Sequence, residues 1–298
     1  MHTQRPIVTA TDFSAPSRHA AQRAAMLAGS SGAPLTLVHT LGGSALDDLR
    51  RWLAGDAQAA AVIEADARQR LQDLAAELGR SHGVAVHTQL RAGHPVEQVI
   101  HHADDIDAGL IVTGTRGAGF LRGVAVGSTA ERIARRSARP VLLVRQLPHV
   151  PYRRILVPVD FSAWSRSAVA LARQIAPQAA LVLMHAVELP YAGQMRLAGV
   201  SEDTVQRYRD AARTEAQQRL QQLAADAGLD ADRLRTSTPG GADPWMLIVQ
   251  DEQEHDCDLV VIGRQGRHAI DEFLLGSTTR MVIAEGAADV LIAGRQPG

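Results

Sequence analysis

Residues 110–117 read LIVTGTRG, and residues 259–266 read LVVIGRQG. In both stretches an apolar run ends on a glycine, a second glycine stands three positions later, and a Gly-Ser pair follows at 127–128 or 276–277. The two copies of this Gly-x2-Gly-x9-Gly-Ser pattern lie 149 positions apart throughout (263 − 114, 276 − 127). Glycines between a strand and a helix let backbone N–H groups approach a phosphate. The pattern therefore indicates a phosphate-binding loop that occurs twice.

The repetition extends over nearly the whole chain. Residues 7–14 (IVTATDFS) match residues 155–162 (ILVPVDFS), which lie 148 positions later (155 − 7). Residues 35–39 (LTLVH) match residues 181–185 (LVLMH), which lie 146 positions later (181 − 35). A spacing that drifts by so few residues over half a chain indicates one domain duplicated with small loop changes.

Short apolar runs alternate with longer stretches of helical periodicity in both halves. The runs that predict strands begin near Ile7, Leu35, Val84, Leu110 and Val141, and near Ile155, Leu181, Leu234, Leu259 and Val290. Alternating strands and helices form a parallel sheet that helices cover on both faces. We therefore predict an α/β fold with two tandem Rossmann-like domains, 1–147 and 152–298, each holding a five-stranded parallel sheet. Pro148 and Pro151 mark the short linker between them.

Composition excludes several classes of function. The formal net charge of −1 argues against a dedicated nucleic-acid binder, because no general positive field would attract a phosphate backbone. All 31 basic residues are arginine, which excludes lysine-dependent phosphate loops and Schiff-base chemistry. Cys257 is the single cysteine, and no apolar run approaches the ~18 residues of a membrane span. We expect a soluble, cytoplasmic protein without a secretory segment.

The predicted ligand site lies at the carboxyl ends of the strands. In doubly wound sheets ligands bind there, at the point where the strand order reverses. The first and fourth strands of each half should end side by side at that point. This arrangement brings Asp12 beside Gly114, and Asp160 beside Gly263. An acidic side chain next to a glycine-rich loop suits a nucleotide.

Ser128 and Ser277 are predicted as the N-caps of the helices that follow the glycine loops. There a hydroxyl and unpaired N–H groups would face an anion. The alternative is that the glycines form ordinary turns and that Ser128 and Glu131 form a capping box. Duplication at identical spacing favours the nucleotide site. The two copies also differ in charge, because Arg280 replaces Glu131 in the second.

The motifs resemble those of the universal stress protein family. They are the Asp-Phe-Ser after the first strand, the turn before Pro95 and Pro244, and the long glycine pattern, and they occur once in each half. The resemblance implies a Rossmann-like fold, binding of ATP or AMP with or without Mg²⁺, and a nucleotide-sensing role in the stress response. It also implies that the domains pair through their final strands, here residues 141–144 and 290–292.

Site residues follow from the resemblance by position. In the first half it implies adenosine contacts at Thr11, Asp12, Thr40 and Gly114, and phosphate and ribose contacts at Gly117, Gly127, Ser128 and Thr129. In the second half the matching positions are Val159, Asp160, Ala186, Gly263, Gly266, Gly276, Ser277 and Thr278.

Other polar residues are interpreted as structural. His39 and His185 recur at the ends of the second strands and are expected to be hydrogen-bonded histidines rather than catalytic ones. The run His255-Asp256-Cys257 has no repeated counterpart, and no metal site is expected. No residue is assigned a catalytic role.

Binding of adenine nucleotide is therefore the predicted function, and two alternatives remain. One is a slow ATPase or nucleotidyl transferase on the same fold. The other is an interaction module that works without nucleotide. The expected partners are the nucleotide, the second domain of the same chain in a pseudo-dimer, a second copy in a homodimer and an unidentified regulatory protein. No nucleic acid or membrane partner is expected.

Overall fold

The computed structural model describes residues 5–42, 57–115, 127–264 and 275–294. The chain divides into two compact units. Unit 1 comprises Met1–Pro151 with Gly294–Gly298, and unit 2 comprises Tyr152–Ala293.

Unit 1 alternates strands and helices along its described residues. Its elements are β1 (Ile7–Ala10), α1 (Ala15–Ser31), β2 (Leu35–Leu41), α2 (Ala57–His82), β3 (Val86–Ala92), α3 (Pro95–Asp105), β4 (Leu110–Gly114), α4 (Ser128–Arg136) and β5 (Val141–Val144). The strands are parallel and lie in the order β3-β2-β1-β4-β5.

Unit 2 repeats this architecture. Its elements are β6 (Arg154–Pro158), α5 (Ala163–Ile175), β7 (Ala180–Met184), α6 (Ala192–Leu197), α7 (Glu202–Asp226), a 3₁₀ turn (Ala231–Arg233), β8 (Leu234–Ser237), α8 (Pro244–Glu254), β9 (Leu259–Ile262), α9 (Ser277–Glu285) and β10 (Asp289–Ile292). Its strands are parallel in the order β8-β7-β6-β9-β10. The predicted tandem of five-stranded Rossmann-like domains is confirmed.

Burial explains why the strands appear in the sequence as continuous apolar runs. Every residue of β4, β5, β9 and β10 is buried, as expected where helices cover both faces of a parallel sheet. Strand β3 begins at Val86 rather than near Val84, because the chain first turns at Gly83, whose φ is 65°. The weak run at Leu234 does form a strand, β8.

Helix α1 approaches the sheet closely. Its buried face consists largely of alanines, including Ala20, Ala21, Ala24 and Ala28. At the end of β4, a side chain on Gly114 would place its Cβ only 2.7 Å from the carbonyl oxygen of Pro16. A glycine is therefore required at this position by packing alone.

A buried polar pair holds the start of unit 2 to its last strand. The Tyr152 hydroxyl donates a hydrogen bond of 2.6 Å to Oδ2 of Asp289, and both residues are almost completely buried. We predict that Tyr152→Phe lowers the free energy of unfolding by about 1–3 kcal/mol, because a buried carboxylate oxygen loses its donor. Chemical denaturation monitored by circular dichroism measures the change.

The matched control for this prediction is Tyr191→Phe, since the Tyr191 side chain is 69% exposed. It should leave stability within about 0.5 kcal/mol of the parent. Equal stabilities for the two variants would contradict the role assigned to the Tyr152 hydroxyl.

Candidate functional site

A cavity of about 650 Å³ opens at the carboxyl ends of the unit 2 strands. Strand β6 lies there between β7 and β9, so the cavity stands where the strand order reverses. Met184, Ile248 and Ile262 contribute apolar side chains to its wall, and Asp160 and Glu188 contribute carboxylates. An apolar pocket with a few polar groups is the usual form of a small-molecule site.

Seven of the eight positions predicted for unit 2 line this single cavity. They are Val159, Asp160, Ala186, Gly263, Gly276, Ser277 and Thr278. The eighth, Gly266, lies outside the described residues, as does Gly117 in unit 1. The cavity also has a lining residue that the sequence analysis did not select, Trp164 at the start of α5.

The Asp160 carboxylate is held in place by the start of α5. Its Oδ1 accepts a hydrogen bond of 2.7 Å from the Ser165 hydroxyl and one of 2.9 Å from the Ser162 backbone N–H. The backbone N–H of Asp160 donates in turn to the Ser165 oxygen at 2.9 Å. These bonds fix the orientation of a half-buried acid at the rim of the cavity.

Unit 1 uses the corresponding residues differently. Asp12 is exposed, and its Oδ1 accepts hydrogen bonds from the backbone N–H and the hydroxyl of Ser14. Ser17, which corresponds to Ser165, bonds to Thr11 at 3.1 Å between the two hydroxyl oxygens. Thr11 is therefore buried and engaged within the protein, whereas Thr40 is half-buried in β2.

The predicted helix N-caps are wrong by one residue. Helices α4 and α9 begin at Ser128 and Ser277, and their N-caps are Gly127 and Gly276 in extended conformation. Each glycine N–H donates across the loop, to the Thr115 carbonyl at 2.6 Å in unit 1. Because Gly127 rather than Ser128 is the N-cap of α4, the alternative of a capping box formed by Ser128 and Glu131 does not hold.

The helix starts nevertheless suit an anion. Neither glycine cap supplies a side-chain hydrogen bond to its helix. The first N–H groups of a helix have no partner within the helix, and its dipole is positive at that end. In unit 2 this end faces the cavity through Ser277 and Thr278. It can receive a phosphate or a carboxylate.

A ring stack lies beside the site in each unit. Phe13 and His39 have ring centroids 4.4 Å apart, and Phe161 and His185 have theirs 4.5 Å apart. A guanidinium covers each phenyl ring, that of Arg70 at 4.3 Å and that of Arg219 at 4.0 Å from the centroid. Cation–π contacts of this kind stabilise the ring that follows the site aspartate.

The backbone is strained at the phenylalanine of each ring stack. Phe13 and Phe161 have φ of 64° and 63°, a region that bulky residues rarely adopt. Such strain persists only where the surroundings over-determine it, and it is common at functional sites. The stack thus fixes the sharp turn that presents Asp12 and Asp160.

Both histidines are bonded to the end of the first strand. Nδ1 of His39 lies 2.7 Å from the Thr11 carbonyl oxygen, and Nδ1 of His185 lies 2.8 Å from that of Val159. A carbonyl only accepts, so Nδ1 carries the proton in each ring. Burial lowers the pKa of His39, the hydrogen bond to Thr11 raises it, and the charge of Arg70 lowers it further. The prediction that these histidines are hydrogen-bonded is confirmed.

The two arginines of the ring stacks were not predicted from the sequence, although the spacing of the repeat indicates them. Arg70 and Arg219 are separated by 149 positions (219 − 70), the same interval as the glycines. The helices that contain them were predicted from the spacing of apolar residues. Exposed arginines on such helices do not contribute to that spacing. Aligning the two halves residue by residue would have found them.

Comparison with known proteins decides the family. The model of the universal stress protein family matches residues 4–145 and again residues 151–294. The chain belongs to the universal stress protein family. It is a tandem member, since both halves match.

Relatives of similar length exist among universal stress proteins. The chain is 26% identical to one from Mycolicibacterium smegmatis over 299 aligned positions, which cover 97% of each sequence. A solved universal stress protein from Archaeoglobus fulgidus has the same fold, with a TM-score of 0.70, 18% identity and coverage of 99% of this chain and 100% of that one. One from Pseudomonas aeruginosa has a TM-score of 0.63, 22% identity and coverage of 97% and 93%.

Among the described residues, none of the helices has the length and apolar character that crossing a membrane requires.

Because burial lowers the pKa of His39, we predict that the stability of the folded protein depends on pH. The unfolded chain protonates this imidazole at its usual pKa, near 6.5, whereas the folded protein does so only at lower pH. The unfolded state therefore binds more protons in this interval, so stability falls as the pH decreases through it. We expect His39→Asn to reduce this loss, measured by urea unfolding between about pH 8 and about pH 5.

His149→Asn is the control, because His149 is exposed in the linker. It should keep the acid dependence of the parent protein. If His39→Asn also keeps it, the burial of His39 does not contribute to acid destabilisation.

Proposed function

We propose that this tandem universal stress protein binds one adenine nucleotide, ATP or AMP, in each unit and acts as a nucleotide-sensing regulator in the stress response. The proposed domains are 1–147 and 152–298. The observation that carries the proposal is the unit 2 cavity, which combines an apolar wall, a fixed carboxylate and a helix N-terminus. Its volume of about 650 Å³ falls within the usual range for small-molecule sites.

The chemistry of the cavity suggests how a nucleotide would lie. The apolar wall near Met184, Ile248 and Ile262 suits the faces of a purine, and Trp164 adds an aromatic surface. In this arrangement Val159, Asp160 and Ala186 would contact the adenosine. The N-terminus of α9, at Gly276, Ser277 and Thr278, would receive the phosphates.

Unit 1 would use the matching positions. These are Thr11, Asp12, Thr40 and Gly114 near the adenosine, and Gly127, Ser128 and Thr129 near the phosphates. Gly117 and Gly266 would complete the two loops. Because packing against α1 already requires Gly114, the argument in unit 1 depends on Gly127 and the start of α4.

Binding rather than catalysis is the proposed activity. The sequence contains no Gly-x4-Gly-Lys-Ser/Thr loop, the motif that holds the phosphates in many enzymes of phosphoryl transfer. Oδ1 of Asp160 already accepts two hydrogen bonds and is tied to α5. Mg²⁺ would arrive with ATP. The alternative of slow hydrolysis requires Mg²⁺-dependent turnover that disappears in Asp12→Asn and Asp160→Asn.

The proposal can be tested by replacing the glycines at the two helix starts with a larger residue that would exclude a phosphate. Gly127 and Gly276 have extended dihedral angles, φ −69° and −57°, which valine adopts readily. We expect Gly127→Val and Gly276→Val each to reduce the stoichiometry from two nucleotides per chain to one, because the isopropyl group occupies the space of a phosphate. The double variant should bind none. Calorimetric titration with ATP and AMP measures this.

Gly193→Val provides the control, because a Cβ at Gly193 would have no other atom within 4 Å. It should still bind two nucleotides, and circular dichroism should show that all variants fold. A folded double variant that binds two nucleotides would refute the assignment of these glycines. A parent protein that binds neither nucleotide would favour the nucleotide-independent interaction module.

We also propose that the final strands take part in pairing, within the chain or with a second copy. The support is their sequence, VLLV at 141–144 and DVLI at 289–292, since an open apolar edge invites another strand. Fragment 1–147 should then self-associate in analytical ultracentrifugation. A fragment that stays monomeric at high concentration would contradict this pairing.

A further inference from the structure

Three side chains of kinds that can ligate a metal ion meet where helix α8 ends. Asp251, Glu254 and His255 each offer one donor atom, and the three donors lie within 4.8 Å of one another. The spacing i, i+3 places Asp251 and Glu254 on one face of the helix, and His255 follows directly as the C-cap. Asp251 is buried, His255 is half-buried and Glu254 is exposed, so solvent reaches the cluster from one side. The cluster lies in the last turn of α8, whereas the nucleotide cavity is lined by Pro244 and Ile248 from its first turns.

The surroundings of the Asp251 carboxylate are a second, independent observation in favour of cation binding. Asp251 is only 3% exposed, and its Oδ2 has no hydrogen-bond partner within the described part of the chain. The Ser237 side chain lies close enough to act on this carboxylate as a hydrogen-bond donor. An ionised carboxylate that is buried with an unsatisfied oxygen costs free energy unless it takes up a proton or a cation compensates it.

Unit 1 shows what occupies the same position there. The helix α3 residues that correspond to Asp251 and Glu254 are His102 and Asp105, each 149 positions earlier (251 − 102, 254 − 105). The Arg91 guanidinium bridges them, with Nη2 at 3.0 Å from His102 Nδ1 and 2.9 Å from Asp105 Oδ2. Unit 1 thus supplies its own cation at this place.

In unit 2 the position that corresponds to Arg91 is not an arginine. Strand register aligns Leu35 with Val86 in unit 1 and Leu181 with Leu234 in unit 2, so the position of Arg91 becomes Pro239 (239 − 91 = 148). Nearby Arg154 is directed elsewhere, to the His255 carbonyl oxygen and, at 3.8 Å, to Asp256 Oδ2. Two positions therefore differ between the units. Unit 2 has Pro239 in place of Arg91, and it has a third side chain that could bind a metal, because His255 stands where unit 1 has Ile106.

We propose that Asp251, Glu254 and His255 bind one divalent transition-metal cation, of the class of Zn²⁺, Mn²⁺ or Co²⁺. Two carboxylates and an imidazole suit these ions, whereas Ca²⁺ and Mg²⁺ prefer oxygen ligands alone. His255 Nδ1 lies 3.2 Å from the Asp251 carbonyl oxygen, which leaves Nε2 as the metal-binding nitrogen. A backbone partner of this kind commonly orients a ligating histidine.

The ion would act as a clamp on the end of α8. The carbonyl end of a helix carries negative partial charge, which a cation stabilises. Glu254 is at present engaged by Gln250, whose amide nitrogen lies 2.6 Å from Oε1. An exposed carboxylate of this kind can still turn one oxygen toward an ion. Metal binding would then fix the last turn of the helix that leads into β9.

The test uses the full-length protein without nucleotide, because nucleotides chelate metals. Zn²⁺ and Co²⁺ are titrated by calorimetry, and Co²⁺ absorption reports the ligand set. We expect one saturable site whose affinity falls at least about tenfold in Asp251→Asn and in His255→Gln. Pro239→Arg should abolish the site by restoring the guanidinium of unit 1, and it keeps the carbonyl that bonds to Val187 N–H.

The matched control is Asp256→Asn. Asp256 lies in the same turn but outside the cluster, and its side chain is 92% exposed. This variant should bind the ion as the parent does. No saturable binding in the parent, or equal binding in the parent and in folded Asp251→Asn and His255→Gln, would overturn the proposal. Gly127→Val and Gly276→Val should leave metal binding unchanged, so the result is independent of the nucleotide site.

Discussion

The parallel pairing of the first strand with the fourth is the constraint on which each unit depends. In unit 1 it aligns Ile7 with Leu110, and in unit 2 it aligns Ile155 with Leu259. Strands far apart in sequence therefore end side by side, and the aspartate turn after one meets the glycine after the other. The cavity of unit 2 and the helix start that faces it follow from this register, whereas the ring stack beside them follows from the pairing of the first strand with the second.

Close packing is the second requirement at this place. Helix α1 lies so near the end of β4 that Gly114 has no room for a side chain. The turn before the helix is strained at Phe13, and a histidine, an arginine and a strand carbonyl hold it. Because unit 2 repeats the same strain with the same partners, the turn is a built feature of the fold and serves to present the acid.

The two units share one architecture but differ in the side chains at several matched positions. The serine at the start of the first helix bonds to Asp160 in unit 2 and to Thr11 in unit 1, so the two aspartates differ in burial. The last turn of α3 is neutralised by Arg91, whereas the equivalent turn of α8 has acids and a histidine. Small substitutions at matched positions thus turn one architecture into two chemically distinct units.

The repeat, the alternation of strands and helices, the parallel sheets and seven of the residues that line the unit 2 cavity could all be predicted from the sequence. Buried strands appear in the sequence as apolar runs, and the glycine motif appears as a fixed spacing, so both can be recognised without the structure. Three features could be known only from the folded structure: the bonds from Gly127 N–H to Thr115 and from Gly276 N–H to Arg264, the guanidinium groups of Arg70 and Arg219 over the phenylalanine rings, and the burial of Asp251. These features depend on the register of strands and on hydrogen bonds across loops. Side chains distant in sequence meet only after the sheet has formed, and no local pattern specifies which of their atoms will be paired.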